Sequence, residues 1–303
     1  MTTNDPGFKS GYVSLIGKPN VGKSTLLNRL VREKIAAMSW RPQTTRNKIT
    51  GICHLEGGQI ILMDTPGIHK STRKLNEVMV KTSLSTYGDV DLILFMIDAR
   101  QGFGDEDAFV LESMQQSRTP KILVINKIDL IPKARILELT GAVNAKETFI
   151  ETVPISALKS DGLKLLEQVL LKHLPKGPRY FPEDMITDAP EEFLIMEIIR
   201  EKVFKLTAME IPYAVAVLVE SLREGKRGML VIDATIFVEK ASQKKIVIGS
   251  GGTLLKKIGT HSREEIERRL GNKVFLNLFV KVKERWRDDV RALKEFGYTH
   301  GLH

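Results

Sequence analysis

Residues 17–24 combine glycines, a lysine and a hydroxyl at a spacing that suits phosphate groups. The segment Gly-Lys-Pro-Asn-Val-Gly-Lys-Ser separates an apolar run from an amphipathic stretch. Glycines let backbone N–H groups turn toward phosphates, Lys23 can neutralise the β and γ oxygens, and Ser24 can ligate Mg²⁺. A glycine turn that merely caps a helix is the alternative. The residues predicted to contact a nucleoside triphosphate here are Gly17, Lys18, Pro19, Asn20, Val21, Gly22, Lys23, Ser24 and Thr25.

A carboxylate and a glycine follow a later apolar run. Asp64, Thr65, Pro66 and Gly67 form the only Asp-x-x-Gly pattern in the chain. An acid at this place can hold Mg²⁺ through a water molecule, and the Gly67 amide can respond to the γ-phosphate. A solvated turn is the alternative interpretation. We therefore predict that these residues contact the nucleotide and that Asp64 is a metal ligand.

Two further segments indicate which base the site selects. The sequence Asn-Lys-Ile-Asp at 126–129 follows another apolar run. A buried Asp129 carboxylate can accept from N1–H and the 2-amino group of guanine, and adenine lacks that donor pair. Asn126 can brace the phosphate loop, Lys127 can cover the base plane, and a backbone N–H near Ser156 can meet guanine O6. GTP, not ATP, is the predicted nucleotide. The residues expected at the base are Asn126, Lys127, Asp129, Ser156, Ala157 and Leu158.

These segments need a scaffold, and the chain supplies one by alternating apolar runs with amphipathic stretches. Strands are predicted at 12–16, 48–55, 59–63, 92–97, 121–125 and 149–155, and helices at 23–33, 75–85, 105–116, 132–145 and 162–173. Such alternation predicts an α/β domain over residues 1–174, with a mostly parallel sheet and helices on both faces. Binding loops in these sheets lie beyond the carboxyl ends of the strands, where the motifs fall.

A proline-rich stretch over residues 175–190 divides the chain. Four of the twelve prolines fall within it, which predicts an extended linker. Residues 191–303 then predict a smaller α+β domain. Its expected elements are a helix over 193–206, a helix that carries Leu254, Ile258, Ile266 and Leu270, strands at 213–222, 229–239 and 274–282, and a short C-terminal helix.

The positive charge is concentrated in this second domain. The net charge is +9, and residues 240–294 hold fifteen Lys and Arg against six Asp and Glu. Clustered cations that bind a polyanion gain from counterion release, so a nucleic-acid surface is the favoured interpretation. A solvated helix face, or a surface for anionic lipid, would also give this bias.

A Gly-x-x-Gly segment at 249–252 lies inside the basic region, and it resembles the core of a KH domain, in which such a loop clamps nucleic acid. A second such pattern at 225–228 lies between two predicted strands and predicts a hairpin turn. A plain turn between helices is the alternative for the first. The residues predicted to bind RNA are Ile248, Gly249, Ser250, Gly251, Gly252, Lys256 and Lys257.

Several classes are disfavoured by composition. The chain has one cysteine, no apolar run of the roughly twenty residues that a membrane span needs, and no signal-peptide pattern at its start. We expect a cytoplasmic monomer. Weak peripheral association with the inner membrane is a further expectation, because a basic surface attracts anionic lipid.

Additional segments resemble the bacterial Era family of GTPases, and this resemblance covers residues 9–299. The segments are 43–46 (Gln-Thr-Thr-Arg), 64–69, Leu75-Asn76, 180–184 (Tyr-Phe-Pro-Glu-Asp) and Thr187-Asp188. The resemblance implies that Thr45 ligates Mg²⁺ beside Ser24 and Asp64, with Thr44 on the solvent side. It also implies a type II KH domain that binds the 3′ end of 16S ribosomal RNA during assembly of the small subunit. A regulatory GTPase acting on a membrane surface or a protein partner is the alternative.

One departure from Ras-like GTPases concerns catalysis. The residue after Gly67 is Ile68, where Ras-type enzymes place a glutamine that orients water. Asn20 is similar to the asparagine with which some GTPases recruit K⁺ to the phosphates. A stabilising role within the loop is the alternative for Asn20. The expected cofactors are Mg²⁺ and K⁺, and the residues expected to act in hydrolysis are Lys23, Thr45, Gly67 and Asn20.

Overall fold

The computed structural model describes residues 7–39, 44–68, 73–84 and 88–298. Its first unit is built on a six-stranded sheet of order β2-β3-β1-β4-β5-β6, in which β2 alone runs antiparallel to its neighbour. The strands are β1 (Lys9–Ile16), β2 (Ile49–Leu55), β3 (Gly58–Asp64), β4 (Leu92–Asp98), β5 (Lys121–Asn126) and β6 (Glu151–Ile155). All six agree with the predicted strands to within three residues at either end.

Helices cover both faces of this sheet. They are α1 (Lys23–Val31), α2 (Lys74–Leu84), α3 (Asp105–Ser113), α4 (Lys133–Asn144) and α5 (Leu163–His173). Strand β4 shows the arrangement most clearly, because its side chains alternate between two cores. Leu94 packs in the core that contains α1 and α5, whereas Phe95 packs in the core that contains α3 and α4. The doubly covered sheet expected from the sequence is therefore confirmed.

The proline-rich stretch contains neither helix nor strand and lies along the first unit. The side chain of buried Gln59 accepts from the backbone N–H groups of Tyr180 and Phe181, at 2.9 and 3.1 Å. Farther along, the Ile52 N–H donates to the Ile186 carbonyl at 2.9 Å. The connection between the units is thus fixed by hydrogen bonds to β2 and β3.

The second unit is a three-stranded sheet of order β7-β8-β9 with helices packed on one face. Strands β7 and β8 are antiparallel, whereas β8 and β9 are parallel. The elements are α6 (Glu191–Leu206), α7 (Ile211–Ala214), β7 (Ala216–Glu224), β8 (Leu230–Val238), α8 (Ala241–Ile248), α9 (Thr253–Leu270), β9 (Val274–Val282) and α10 (Val290–Glu295). The strand predicted from 213 is wrong in its first residues, because Tyr213 and Ala214 belong to the helical turn α7, in whose first turn the fixed φ of Pro212 is favourable.

The two units share an interface of mixed chemistry. Leu75 and Met79 of α2 pack against Trp286 and Phe296 near the C-terminus. Beside this apolar contact, Lys34 Nζ lies 2.5 Å from a carboxylate oxygen of Glu201 on α6. Within the described ranges, no helix is both long and apolar enough to cross a membrane.

Candidate nucleotide site and nucleic-acid loop

Lys23 joins the two ends of the phosphate loop by hydrogen bonds to backbone carbonyls. The Lys23 ammonium donates to the Gly17 and Lys18 carbonyls at 2.9 and 3.1 Å, and burial lowers its pKa to about 8 despite the nearby Asp64. Gly22 has φ +109°, and a Cβ there would lie 2.2 Å from the Asn126 amide nitrogen. Only glycine fits this position, because it brings the phosphate loop against the end of β5.

Three oxygens converge at the start of α1, as the metal prediction requires. Ser24 Oγ lies 2.6 Å from Asp64 Oδ2 and 2.7 Å from Thr45 Oγ1, and Thr45 Oγ1 lies 3.2 Å from the same Asp64 oxygen. Burial raises the pKa of Asp64, although Lys23 opposes the shift. The other oxygen, Asp64 Oδ1, is buried and has no hydrogen-bond partner among the residues that the structure describes. Two hydroxyls and a carboxylate with one oxygen left over are a donor set that Mg²⁺ prefers.

The expectation that Thr44 faces solvent is wrong. Thr44 is buried, and its carbonyl accepts from Arg200 of the second unit. Thr44 is buried because α6 of the second unit packs over it in the folded protein. A contact between residues so far apart in the chain cannot be predicted from a local sequence pattern. Gln43 and His69, which contributed to the resemblance, lie outside the described residues.

The Asp64–Gly67 segment is packed directly on the phosphate loop. A Cβ at Gly67 would lie 2.7 Å from the Pro19 nitrogen, so a side chain there would displace the loop. Next to it, the Ile68 N–H donates to the Gly17 carbonyl at 3.4 Å, and the Ile68 side chain is buried. Backbone groups of the segment therefore face the phosphate loop, while the Ile68 side chain packs in the core.

The residues expected at the base are joined to the phosphate loop by hydrogen bonds. Asn126 donates to the Val21 carbonyl at 2.7 Å and accepts from the Ala157 N–H at 2.9 Å. The Lys127 ammonium donates to the Asn20 carbonyl at 2.7 Å and pairs with Asp98 at the same distance. Asn126 therefore braces the loop as predicted, whereas Asp98, an acid at the end of a buried strand, was missed by the sequence reasoning.

One residue at the base end differs from expectation. Asp129 is exposed and not buried, because it lies in a short 3₁₀ turn (Ile128–Leu130) that projects from the end of β5. The Ala157 N–H is already bonded to Asn126. Ser156 is buried, whereas the Leu158 side chain is exposed and borders the cavity below.

A cavity of about 610 Å³ lies above these loops, and we call it the nucleotide cavity. Predicted residues line it from the phosphate end to the base end: Pro19, Asn20, Gly22, Lys23, Ser24, Thr25, Thr45, Gly67, Lys127 and Leu158. Lys205 of α6 also lines it, so the second unit reaches the cavity. Asn126 and Asp129 are among the predicted residues that do not line this cavity. Asn126 instead holds the phosphate loop through its bond to the Val21 carbonyl.

The basic Gly-x-x-Gly segment joins two helices. Helix α8 ends at Ile248 and is capped by Gly249, a 3₁₀ turn covers Ser250–Gly252, and α9 follows at once; we call residues 249–252 the KH loop. A Cβ at Gly249 would lie 2.8 Å from Leu254, whereas Gly251 has nothing within 4 Å of its Cβ position. Ser250 is exposed, as are Lys256 and Lys257 on the first turn of α9, and Ile248 is half-buried. The other pattern, at 225–228, is the turn between β7 and β8, as predicted.

Comparison with known proteins agrees with both halves of this description. A family model described as a 50S ribosome-binding GTPase matches residues 12–127, and a KH-domain model matches 210–287. A protein named GTPase Era from Geobacter sp. (strain M21) is 51% identical over 291 residues, which is 96% of this chain and 98% of its own length. Another from Geobacter metallireducens is 51% identical over 297 residues, with 98% and 100% coverage.

Solved structures give the same result. A crystal structure of Era in complex with MgGDPNP and nucleotides 1506–1542 of 16S ribosomal RNA has a TM-score of 0.94 at 42% identity, over 96% of this chain and 99% of that one. A variant of Aquifex aeolicus Era bound to GDP·AlF4⁻ has a TM-score of 0.93 at 41% identity, with the same coverage.

The fold and the site together define a P-loop GTPase joined to a KH domain. The chain belongs to the Era family of GTPases. It is an enzyme that hydrolyses GTP to GDP and phosphate. The predicted family, fold class and enzyme class are therefore confirmed.

Proposed function

We propose that the chain binds GTP·Mg²⁺ in the nucleotide cavity, binds the 3′ end of 16S ribosomal RNA through its KH domain, and acts in assembly of the small ribosomal subunit. The observation that carries this proposal is the near-complete correspondence with the Era structure that holds MgGDPNP and nucleotides 1506–1542 of that RNA. The domain limits that go with it are 1–174 for the GTPase, 175–190 for the linker and 191–303 for the KH domain.

At the phosphate end, the geometry supports a role for each predicted residue. Ser24, Thr45 and Asp64 would hold Mg²⁺, which supplies positive charge at the β and γ oxygens when it is bound. The Lys23 ammonium is fixed at the mouth of the loop and adds a second positive charge. The Gly67 N–H, held against the phosphate loop, donates where charge develops on the γ-phosphate.

At the base end, Asp129 accepts from N1–H and the 2-amino group of guanine. Its exposure supports this role, because the carboxylate is accessible to an incoming base. The Ala157 N–H is occupied by Asn126, so we assign the donor for guanine O6 to the neighbouring Leu158 N–H. Lys127, held by Asp98 and the Asn20 carbonyl, covers the base with its alkyl chain.

The residue after Gly67 is Ile68, so hydrolysis needs another group to assist the attack of water on the γ-phosphate. The Ile68 side chain is buried and apolar, so it cannot orient water. Asn20 belongs to the phosphate loop, lines the nucleotide cavity and has a left-handed backbone (φ 65°). Its amide oxygen suits K⁺, which would screen phosphate charge as an arginine finger does.

We further propose that the protein acts as a monomer in the cytoplasm. Peripheral association with the inner membrane would depend on positive charge, of which the region around the KH loop has an excess. Attraction of a basic surface to anionic lipid does not require the geometry of the KH loop. RNA binding and lipid binding therefore respond differently to changes in that loop.

The test replaces Ser250 and Gly251 with Asp. Two carboxylates would then face the RNA backbone, and both positions are exposed with open space around Gly251. Gly251 has φ +57°, a left-handed conformation that Asp adopts more readily than most residues. Filter binding to nucleotides 1506–1542 of 16S ribosomal RNA should fall by at least about a hundredfold, because phosphate contacts supply most of the affinity. Circular dichroism and GTP binding should be unchanged, since the nucleotide cavity is formed by other elements.

The matched control replaces Lys226 and Arg227 in the other Gly-x-x-Gly turn with Asp. This pair removes more positive charge from the same domain but leaves the KH loop intact. It should retain most of the RNA affinity. If the KH loop variant binds RNA normally, or if both variants lose RNA and anionic vesicles alike, binding depends on overall charge and the RNA proposal is wrong.

A further inference from the structure

Thr45 lies between two residues that the KH domain holds. On one side, the Thr44 carbonyl accepts a hydrogen bond from Arg200 on α6. On the other side, Arg46 extends into the KH domain and is buried there. The hydroxyl that meets Ser24 and Asp64 is therefore fixed from outside the GTPase domain.

The Arg46 side chain ends in a site made by carbonyls and aromatic rings. Its guanidinium donates to the Val215 carbonyl at 2.6 Å and to the Pro212 carbonyl at 3.0 Å. The centre of the guanidinium lies 5.5 Å from the Phe204 ring centroid and 5.9 Å from that of Trp286. Stacking and charge-assisted hydrogen bonds of this kind fix a guanidinium in one orientation.

The opposing anchor is equally well fixed. Arg200 is fully buried, and its Nε donates to a Glu197 oxygen at 2.8 Å, one helical turn earlier on α6. The Glu197 carboxylate orients the guanidinium, so that the Nη2 atom points at the Thr44 carbonyl. The contact belongs to a rigid helix and not to a loop.

These two arginines are costly to bury. Within the described part of the chain, Glu197 is the one carboxylate in ion-pair distance of either guanidinium, and both Arg46 Nε and Arg200 Nη1 lack a hydrogen-bond partner. A protein in which well-packed apolar side chains replace a buried ion pair is often as stable as the original, or more stable. Stability therefore does not explain this arrangement, whereas fixing the backbone around Thr45 does.

We propose that Arg200 is a positioning residue for GTP hydrolysis: by holding the Thr44 carbonyl opposite the anchored Arg46, it keeps the Thr45 hydroxyl beside Asp64 and Ser24. This inference rests on the proposed role of Thr45 as a Mg²⁺ ligand. It makes α6 of the KH domain part of the GTPase site. Lys205, five residues farther along α6, also lines the nucleotide cavity.

The proposal predicts an effect that depends on the γ-phosphate. Switch threonines of GTPases are ordered by contacts with Mg²⁺ and the γ-phosphate and are released after hydrolysis. Loss of Arg200 should therefore weaken binding of GDPNP but not of GDP. A general loss of stability would weaken both nucleotides.

The experiment compares Arg200→Ala with the unchanged full-length chain in MgCl2. The affinity for GDPNP should fall about tenfold, the range measured for groups that orient metal ligands, while the affinity for GDP is unchanged. The turnover number for GTP should fall with it, and more Mg²⁺ should be needed for half-maximal rate. As a control, Arg269→Ala removes a bond to the Lys34 carbonyl across the same domain interface and should leave GDPNP binding unchanged.

A double-mutant cycle shows whether Arg200 acts through Thr45. In a Thr45→Ala background, Arg200→Ala should cause no further loss of GDPNP affinity. If the two losses add, or if Arg200→Ala alone has no effect, the inference is wrong. If Thr45→Ala itself leaves GDPNP affinity unchanged, the proposed Mg²⁺ ligand is wrong, and this inference with it.

Arg200→Ala leaves Glu197 buried without its partner, which can prevent folding. A second variant, Glu197→Gln combined with Arg200→Met, removes both charges and nearly conserves volume. It should fold with an unchanged circular dichroism spectrum and show the same selective loss of GDPNP binding. Equal loss of both nucleotides in this variant would overturn the proposal.

Discussion

Lys18 and Asp107 form a buried ion pair between the phosphate loop and α3, with Nζ 2.7 Å from Oδ2. The Asp107 carboxylate also accepts from the Gly104 N–H at 3.1 Å, so it joins the start of α3 to the loop. The two residues are far apart in sequence, and Lys18 occupies a position that the motif leaves open. The ion pair therefore fixes the phosphate loop in addition to the hydrogen bond from Lys127 to the Asn20 carbonyl.

This pair should contribute to stability. Asp107→Ala leaves the Lys18 ammonium buried without a partner, so the free energy of unfolding should fall by about 3 kcal/mol. Denaturant unfolding followed by circular dichroism measures the loss.

The control for this prediction is the paired replacement Lys18→Met with Asp107→Leu. It removes both charges, so it should lose only about 1 kcal/mol, mainly from the Gly104 cap. A paired variant as unstable as Asp107→Ala would mean that packing, and not the unpaired charge, determines the loss.

Local patterns in the sequence predicted the strands of the first sheet and the glycine-containing loop between β1 and α1. Each of those depends on neighbours in the chain: Gly22, for example, is recognisable from the motif that contains it. The partners of Lys18, Thr44 and Arg46 were not predictable, because α3, α6 and the C-terminal segment reach them only after folding. The exposure of Asp129 was not predictable either. Its carboxylate could be identified from the sequence, but its exposure depends on the 3₁₀ turn that carries it.

Replacement of Asp129 should change the selected base. Asp129→Asn turns an acceptor into a mixed donor and acceptor, which matches the 2-oxo group of xanthine and mismatches the 2-amino group of guanine. Affinity for GTP should fall by about a hundredfold, and that for xanthosine triphosphate should rise. Competition against a fluorescent nucleotide measures both.

The exposed Asp184 in the linker offers a matched control for this substitution. Asp184→Asn makes the same chemical change away from the cavity and should keep the preference for GTP. Retention of that preference in Asp129→Asn as well would exclude Asp129 from base recognition.

The salt in which GTP hydrolysis is measured should matter. If Asn20 recruits K⁺, the turnover number in KCl should be at least about tenfold higher than in NaCl at equal ionic strength. The reason is that a cation held beside the phosphates stabilises the transition-state charge as an arginine finger does. Asn20→Ala should remove the difference while GDP binding persists. Equal rates in the two salts for the unchanged enzyme would exclude this mechanism.

Cys53, the one cysteine in the chain, should report on opening of the GTPase domain. Its thiol is buried on β2 and donates to the Leu30 carbonyl at 3.2 Å, and burial raises its pKa to about 12. Since the thiolate is the reactive form, the folded protein at pH 8 should not react with a maleimide, whereas the unfolded chain, with an ordinary pKa of about 8.5, should react readily. Saturating GDP stabilises the folded state by RT ln(1 + [L]/Kd), so at about 100 Kd any residual labelling should slow by about a hundredfold. Rapid labelling of the folded protein, with its circular dichroism unchanged, would show that β2 opens without unfolding of the domain.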